Sequence, residues 1–557
     1  MVLELWAPMF LRVVTTKGRK YLQLCEGVRV NGKPTTHVVH SFGNLEKLGR
    51  SGLLGLAEDF LRVAGDELPG AVALTCERTL EFGAAHVARG LWDHFGLSER
   101  LARLCGNRRI DVAWLVQVMV LNRLLSPRSK LAAWEWAPSV WWPQGEASEL
   151  RLRHYYRALD ALLAVKEPLE EELWEATCDL FNLEVDLVFY DLTSTYFEGH
   201  GPEMAEYGYS RDKRPDREQI VVALACDRHG FPIAHEVYRG KTADKSTLVS
   251  LIDALGKRFR IRRCVLVADS GLVSSANRDA LSAAGYPWVM AVRRSRVVSD
   301  LWARIRDVPL ADYVPGDHRL RILECPQTNG VRTFCCHSEL RADEQRQIRQ
   351  GRQRRGRESL DRIAAVVRAG RLRAPEAIAQ RVGKLLAEAK ASQWYSWSVD
   401  DNGAFQYQLN ERREQEHAAL DGRFFLQTDD PQLTMADVVD AYYSLQKVEH
   451  AFREMKDFLR LRPVYHYREH RVRAHVFVCV LAYLLETALH VKLSQAGLPL
   501  TARRALDELA RVHLAENDLS GKRVLTVTKP APMAAAVVAA AGLQPLPRVI
   551  GTVSPSE

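Results

Sequence analysis

The chain has ten cysteines, but no two of them are separated by the two residues typical of zinc-binding or redox pairs. Cys335, Cys336 and His337 are adjacent, and adjacent cysteines rarely chelate one ion well, so no zinc site is predicted. Scattered thiols without a pairing pattern are typical of a reducing compartment. The cysteines therefore predict a cytoplasmic protein.

Long apolar runs are also lacking. Residues 476–485 are strongly apolar, but this run is too short to cross a bilayer and Glu486 follows it. It is predicted to be a buried helix, and no membrane association is expected. The first residues lack the charged segment and apolar core of a secretion signal.

Positive charge is in excess, and it is unevenly distributed. The formal net charge of +8 favours a polyanionic partner. Residues 341–373 contain eleven arginines and no lysine against four acidic residues, a local balance of +7. Arginine binds phosphate in a bidentate manner, so this segment is a candidate DNA-contacting helix. A solvated, partly flexible helix explains the same composition equally well.

Three polar residues recur at intervals of seven inside one long helical pattern: Tyr442, Glu449 and Lys456. Seven residues fall about 20° short of two α-helical turns, so the three side chains form one stripe along the helix. Arg453 joins this stripe four residues after Glu449. Thr434, at the start of a capping-box pattern, predicts a helix over residues 435–460.

A second, apolar stripe runs beside the polar one and predicts that the helix packs on a core. Its members are Leu445, Val448, Phe452, Met455 and Leu459. One face of the helix is therefore predicted to anchor it, while the neighbouring face carries the polar residues.

Two isolated carboxylates accompany apolar strand patterns far upstream. Residues 185–197 are rich in β-branched and aromatic residues and predict a strand buried on both faces, with Asp191 at its middle. Residues 264–268 form a second apolar run, and Asp269 follows it where a strand would give way to a loop. In sheets flanked by helices, ligands bind at such strand ends.

Carboxylates that converge from two strands and a helix repel one another unless a cation lies among them. Ligation by oxygen alone favours Mg²⁺ or Mn²⁺. Ordinary explanations exist for each residue taken singly: an Asp after a strand is usually a loop or capping residue, Tyr442 could be packing, and Glu449 with Arg453 could be a surface ion pair. The combination favours a split metal site that acts on nucleic acid.

With Asp191, Asp269 and Glu449 in this order, the chain resembles the DDE transposases of bacterial insertion sequences. The spacing is similar to the Tyr-x2-Arg-x3-Glu-x6-Lys signature of the IS-four superfamily, and to its IS-sixteen-thirty-four branch. Supporting stretches are YDLTSTYFEG from Tyr190, GYSRDKRPDREQIVVAL from Gly208, GKTADKSTL from Gly240, VADSGLVS from Val267 and VEHAFREMKDFLRLRPVYHYREHRVRAHVF from Val448.

The signature's arginine would fall at position 445, where this chain has Leu445. Arg453 and Lys447 are the candidate replacements for the missing cation. Leu445 itself belongs to the apolar stripe.

The resemblance implies an RNase H-like core whose three carboxylates, Asp191, Asp269 and Glu449, hold two Mg²⁺ ions, with Mn²⁺ as a substitute. It implies phosphodiester hydrolysis and joining of the freed 3′ ends to target DNA, with DNA contacts from Tyr442, Arg453 and Lys456. The expected partner is double-stranded DNA, both transposon ends and target, bound by a homodimer or higher oligomer in the bacterial cytoplasm at the nucleoid.

Two alternatives stay open. One is a catalytically inactive or repurposed relative that still binds DNA, and the other is an RNase H-like nuclease without strand joining. Retention of all three carboxylates favours the transposase.

The predicted fold class is α/β, because the RNase H-like core that the resemblance implies is a mixed sheet flanked by helices. A chain of 557 residues allows several domains. Asp269 and Glu449 are separated by about 180 residues, which predicts an inserted domain. Residues 150–164 form a helix with Tyr155 and basic residues near one side, either a DNA-binding helix or an ordinary amphipathic one.

The predicted domains follow the order of the chain. They are residues 1–80, a β-containing segment opening with a hairpin at Asn31 and Gly32; 81–184, a helical candidate DNA-binding domain; 185–293, the first part of the RNase H-like core; 294–420, an α+β insertion with basic helices; 421–487, the second part of the core with the Glu449 helix; and 488–557, a helical tail.

Overall fold

The computed structural model describes residues 9–30, 33–64, 74–183, 186–243, 246–261, 264–269, 272, 274–292, 300–313, 320–327, 330–519 and 522–553. The chain divides into two compact units. The first comprises Met1–Thr79, Ala515–Thr526 and Val549–Glu557, and the second comprises Leu80–Leu514 and Val527–Arg548.

The strands are numbered in chain order. They are β1 Met9–Thr16, β2 Arg19–Val30, β3 Lys33–Asn44, β4 Leu74–Glu81, β5 Leu187–Tyr196, β6 Gln219–Asp227, β7 Pro232–Arg239, β8 Val265–Ala268, β9 Trp288–Val292, β10 Ala311–Tyr313, β11 Leu320–Glu324, β12 Arg332–Ser338, β13 Tyr395–Val399, β14 Phe405–Leu409, β15 Arg423–Thr428, β16 His513–Leu519, β17 Lys522–Val527 and β18 Val549–Val553.

The α-helices are numbered in the same way. They are α1 Leu45–Ala64, α2 Gly83–His94, α3 Leu97–Cys105, α4 Val112–Leu125, α5 Lys130–Trp136, α6 Leu152–Ala164, α7 Lys166–Phe181, α8 Leu248–Lys257, α9 Ser275–Ala284, α10 Asp300–Ile305, α11 Glu339–Arg368, α12 Pro375–Glu388, α13 Glu411–Ala418, α14 Met435–Ser444, α15 Gln446–Arg453, α16 Glu469–Gln495, α17 Ala502–Leu509 and α18 Pro532–Ala540.

The first unit contains an antiparallel sheet of order β1-β2-β3, and α1 follows it. Val30 pairs with Lys33 across β2 and β3, as a hairpin requires, while the predicted turn at Asn31 and Gly32 lies outside the described residues. A second sheet has the order β18-β17-β16-β4.

The prediction of a helical tail over residues 488–557 is wrong, because β16, β17 and β18 lie within it. These strands are short, and their sheet includes β4 from the other end of the chain. Pairing over that separation leaves little local signal in sequence.

The second unit is built around one mixed sheet of order β10-β11-β12-β15-β9-β8-β5-β6-β7. β5, β8 and β9 are parallel neighbours, and the other pairs are antiparallel. The α/β class with a large mixed sheet is therefore confirmed. The strands at the centre are buried on both faces, as their apolar composition predicted.

The predicted insertion at residues 294–420 has two parts, one that extends the main sheet and one with a core of its own. β10, β11 and β12 extend the main sheet through β15. By contrast, α11, α12 and the β13–β14 hairpin surround a core of their own that includes Leu360, Ile378, Val382 and Trp394. Sheet membership depends on long-range pairing, which local sequence patterns do not record.

Helix α16 packs against α4, α6 and β7. By length and composition it could cross a membrane, although 83% of its apolar window is buried inside the protein. The apolar run at residues 476–485 is thus the centre of a longer helix, and its predicted burial is confirmed. In α6, Tyr155 is fully buried, so it does not share the exposed basic side, contrary to the prediction.

Candidate active site

Asp191 and Asp269 occupy neighbouring positions on two parallel strands. Tyr190 of β5 pairs with Ala268 of β8, and each aspartate is the next residue along the chain. Residues in the same register of adjacent parallel strands point to the same face, about 4.8 Å apart. β8 ends at Ala268, whereas β5 continues to Tyr196, so Asp191 lies within its strand and Asp269 directly follows the end of β8.

The pKa of Asp191 is shifted by burial and by charged neighbours. Burial raises the pKa of Asp191 to about 7 against the lowering effects of the Leu192 backbone amide and Arg211, and the negative charges of Asp269 and Glu449 raise it further. All three predicted carboxylates therefore contribute to one electrostatic site. A cation there would favour the ionised form of Asp191.

The helical segment that carries Glu449 begins and ends close to the predicted limits but is not one regular helix. Thr434 and Asp437 form the predicted capping box. The segment turns at Leu445, whose amide bonds to the Tyr442 carbonyl three residues back. It ends in a π-helical turn, Glu454–Phe458. The apolar stripe predicted for it is buried: Leu445, Val448, Phe452, Met455 and Leu459.

These two irregularities change the predicted polar stripe. A spacing of seven keeps residues on one face only in an uninterrupted α-helix. α15 packs against β5, and the Glu449 charge reaches Asp191. Lys456 lies in the π-helical turn instead and meets a different partner.

That partner is Asp212, which the sequence reasoning did not single out. The Lys456 Nζ donates to Asp212 Oδ1 over 2.6 Å, and the Arg462 Nη1 lies 2.6 Å from the same oxygen. The Lys456 side chain is only 10% exposed. Asp212 lies within the GYSRDKRPDREQIVVAL stretch, but nothing in its spacing indicated the contact.

Tyr442 lies beside both exposed carboxylates. Its ring stacks on Phe424 with centroids 5.5 Å apart. Burial raises the pKa of Tyr442, the positive charge of Arg341 opposes this, and Asp269 and Glu449 raise it further. The charges of Asp269 and Glu449 therefore act on the Tyr442 hydroxyl.

Arg341 is a second residue that the sequence reasoning did not single out. It lies in the first turn of α11, with its guanidinium carbon 4.6 Å from the Phe424 ring centroid and 5.9 Å from that of Tyr443. Only its membership of the basic segment 341–373 indicated a DNA contact. Leu445, at the position of the signature's arginine, is buried in the core.

The two replacements considered for that arginine lie elsewhere. Lys447 donates to the backbone carbonyl of Arg228, and Arg453 is exposed on α15. Arg341 is the cation that affects the Tyr442 pKa.

The carboxylates do not converge fully in this conformation. Within the described ranges, no three His, Cys, Asp or Glu side chains are close enough to hold a metal ion together. Because Asp269 and Glu449 are exposed, their side chains are free to change rotamer.

Two family models match this chain. The transposase DDE domain matches residues 186–485, and the IS1634 family transposase N-terminal domain matches residues 11–63. The first covers more than half of the chain, so the chain belongs to the DDE transposases, enzymes that cut and join DNA. The chain thus combines a transposase DDE domain with a segment similar to the N-terminal domain of IS1634 family transposases.

Among solved structures, the chain is similar to the piggyBac transposase in its cryo-EM synaptic complex with hairpin DNA. The identity is 8%, the match covers 76% of this chain and 77% of that chain, and the TM-score is 0.37. No curated protein sequence matches significantly. Membership of the DDE family implies a divalent metal requirement and DNA as substrate.

Proposed function

We propose that this transposase binds the terminal inverted repeats of its insertion sequence, cleaves them by two-metal-ion phosphodiester hydrolysis, and joins the 3′ ends to target DNA. The observation that carries the proposal is the register of β5 and β8, which makes Asp191 and Asp269 neighbours within reach of the Glu449 charge. We also propose that the sheet around β5 is an RNase H-like core.

The three carboxylates fit a divalent metal by their chemistry. They supply only oxygen, which Mg²⁺ prefers and Mn²⁺ accepts. Burial is the main cause of the raised pKa of Asp191, and a cation beside Asp191, Asp269 and Glu449 would favour its ionised form. When bound, two such ions activate the attacking oxygen and stabilise the leaving 3′ oxygen.

The remaining residues position the DNA. Lys456 is held by Asp212 at the end of the helical segment, where its ammonium meets a phosphate of the bound strand. Tyr442 offers an aromatic face and a hydroxyl to the terminal nucleotide. Arg341 provides a planar cation beside it, and Arg453 contacts the backbone from the exposed side of α15.

The long helix α11 extends the DNA-binding surface. Most of its arginines are exposed, and they lie on the same helix as Arg341. A positively charged helix of this length binds the phosphate backbone without sequence preference. We propose that a homodimer or higher oligomer engages both ends and the target in this way, in the bacterial cytoplasm at the nucleoid.

Cleavage and strand transfer of labelled DNA carrying the element's own ends test the proposal. The native chain, the Glu449→Gln variant and the exposed control Glu388→Gln are compared with Mg²⁺ or Mn²⁺. We expect metal-dependent 3′-OH ends that join to target DNA with the native chain and control, and neither product with Glu449→Gln.

The same assay separates the alternatives. Specific end binding with no cleavage by any of the three proteins would identify a DNA-binding relative without catalysis. Cleavage without joining would identify a nuclease. Equal activity of the native chain and Glu449→Gln would overturn the assignment of the third carboxylate.

A further inference from the structure

A cavity of about 630 Å³ lies where α4 and α5 meet the segment that follows the π-helical turn. Its volume is in the range of small-ligand sites. Five of the residues that line it in the described part of the chain are cationic, and none is acidic. The cations are Arg123, Arg128, Lys130, Arg460 and Arg462.

The deepest of these cations lack a counter-charge. Lys130 is 4% exposed and Arg123 is 5% exposed. No carboxylate of the described residues pairs with either side chain, and the Nε of Arg123 and the Nδ1 of His475 have no hydrogen-bond partner there. Burial, and then the positive charge of Arg123, lower the pKa of Lys130 to about 7. Unpaired buried cations are destabilising unless a ligand neutralises them.

Part of this arrangement is structural. The Arg123 Nη1 donates to the carbonyl of Arg460 over 3.0 Å and lies 3.3 Å from that of Leu459, which fixes the chain after the π-helical turn. Arg460 itself adopts a left-handed conformation with φ of 48°. Glycine or asparagine is usual at such a helix end.

The cavity is linked to the candidate active site through Arg462. This residue lines the cavity, and its guanidinium shares the Asp212 carboxylate with Lys456. A DNA strand bound at Lys456 would therefore lie next to the cavity.

An aromatic side chain stands at the opening. Tyr465 lines the cavity and is 57% exposed. Exposed aromatic rings stack on nucleobases with little sequence preference, and cations beside them bind the phosphates.

We propose that this cavity binds a backbone phosphate of the DNA strand engaged at the active site, with Lys130 and Arg123 neutralising the phosphate and Tyr465 stacking on its nucleobase. This inference rests on the proposed function, because it takes the reacting DNA strand as the ligand. It adds a binding site distinct from the carboxylates.

Fluorescence anisotropy with labelled single- and double-stranded oligonucleotides, without divalent metal, tests the site apart from catalysis. Lys130→Met keeps the side-chain volume but removes the charge. We expect it to weaken DNA binding roughly tenfold and to reduce the slope of log K against log salt by about one. The matched control is Lys492→Met, on α16 about 25 Å along the axis from His475, which we expect to bind as the native chain does.

Two further measurements identify the ligand and guard against misfolding. Inorganic phosphate should raise the Tm of the native chain more than that of Lys130→Met. Tyr465→Ala removes an exposed ring and should weaken single-stranded DNA binding while leaving the Tm unchanged.

Each outcome decides the proposal. Native-like DNA binding by Lys130→Met together with equal phosphate effects would overturn it. Phosphate protection without any change in DNA binding would assign the cavity to a free phosphate compound and overturn the DNA assignment. Binding that depends on Lys130 in a protein that cleaves no DNA would support the cavity and refute the proposed function instead.

Discussion

Two clusters of like charge lie at the two ends of one helical segment, and they differ in sign and depth. Near α15, Asp191, Asp269 and Glu449 form an acidic cluster with two exposed members. Beyond the π-helical turn, Arg123 and Lys130 are part of a buried basic cluster. The pKa of Asp191 is raised to about 7 by burial and its acidic neighbours, while that of Lys130 is lowered to about 7 by burial and Arg123.

Among the described residues, neither Arg123 nor Lys130 pairs with a carboxylate, and Arg211 offsets the charge of Asp191 only in part. A divalent cation would neutralise the first cluster and a phosphate the second. The open cluster allows ions to exchange, whereas the deep one favours a ligand that stays in place. We therefore expect ligands to bind where the charge of the described residues is incompletely paired.

A third cluster provides the contrast, because its charges are buried and paired. Glu170 lies 2.6 Å from the His235 Nδ1, 3.0 Å from the Lys166 Nζ and 2.9 Å from the Arg258 Nη2. Burial opposes its ionisation, but His235, Lys166 and the hydrogen bonds from His235 and Arg258 lower the pKa of Glu170 to about 2. This cluster joins α7, β7 and α8, and its role is structural.

The largest expected effect concerns the acidic cluster. Asp191→Asn should reduce DNA cleavage by about a thousandfold or more, since one metal ligand is lost. Mg²⁺ should also raise the Tm of the native chain but not that of the variant. Gel analysis of labelled DNA and thermal unfolding measure the two effects, with Asp253→Asn as the exposed control. A variant that cleaves normally would remove Asp191 from the metal site.

The next effect concerns the paired cluster. Glu170→Gln leaves buried cations without their carboxylate and should lower the free energy of unfolding by about 3–5 kcal/mol. Urea denaturation checks this, with the exposed Glu175→Gln as control. Cleavage per folded molecule should stay unchanged.

The pH dependence of the paired cluster follows from the same carboxylate. The folded-state pKa of about 2 lies below the ordinary value of about 4.3, so the stabilisation is complete above pH 4.3 and is lost as the pH falls towards 2. The difference between the native chain and Glu170→Gln should shrink over this range. A constant difference would contradict the ionised pairing.

Removal of a charge from the basic cluster should stabilise the fold, whereas removal of the Glu170 charge should destabilise it. Lys130→Met removes an unpaired buried charge and should raise the free energy of unfolding at pH 7 by about 1–3 kcal/mol. The folded-state pKa of about 7 lies below the ordinary value of about 10.4, so the penalty is absent above pH 10.4 and grows as the pH falls towards 7. The groups facing Lys130 across the cavity region are Arg123, Arg460, His466, His475 and Cys479.

Thermal unfolding at pH 7 and pH 10 measures this prediction, and the exposed Lys384→Met serves as the reference. We expect the gain from Lys130→Met to be nearly gone at the higher pH. A loss of stability at pH 7 would show that the ammonium has a partner within the protein.

The smallest effect concerns Arg341. Arg341→Lys keeps the charge but loses the planar contact with Phe424, so DNA affinity should fall by about fivefold. Arg346→Lys, on the same helix, should bind as the native chain does. Anisotropy titrations compare them, and equal affinities would leave α11 as a nonspecific cation surface.

Local sequence patterns determined much of the fold. The strand at residues 185–197, the capping box at Thr434 and the apolar stripe of the Glu449 helix are all present, because each depends on periodicity and on neighbouring residues. Asp191, Asp269 and Glu449 lie within or next to these elements. Their catalytic roles stay predictions.

Contacts between distant segments were decided only by the tertiary structure. The Asp212 bond to Lys456, the place of Arg341 beside Phe424 and the cavity around Lys130 each bring together residues from separate elements. The turn at Leu445 and the π-helical turn also broke a stripe that an ideal helix would have kept.

The physical reason is that the pKa of a side chain and its ion pairs depend on burial and on neighbours in space. The sequence by itself determined that Asp191, Asp269 and Glu449 accompany two strands and a helix. Only packing decided that the Asp191 pKa is raised, that the Lys130 pKa is lowered, and that Glu170 is fully paired. Desolvation and Coulomb interactions arise from residues that lie far apart along the chain, and no local pattern records them.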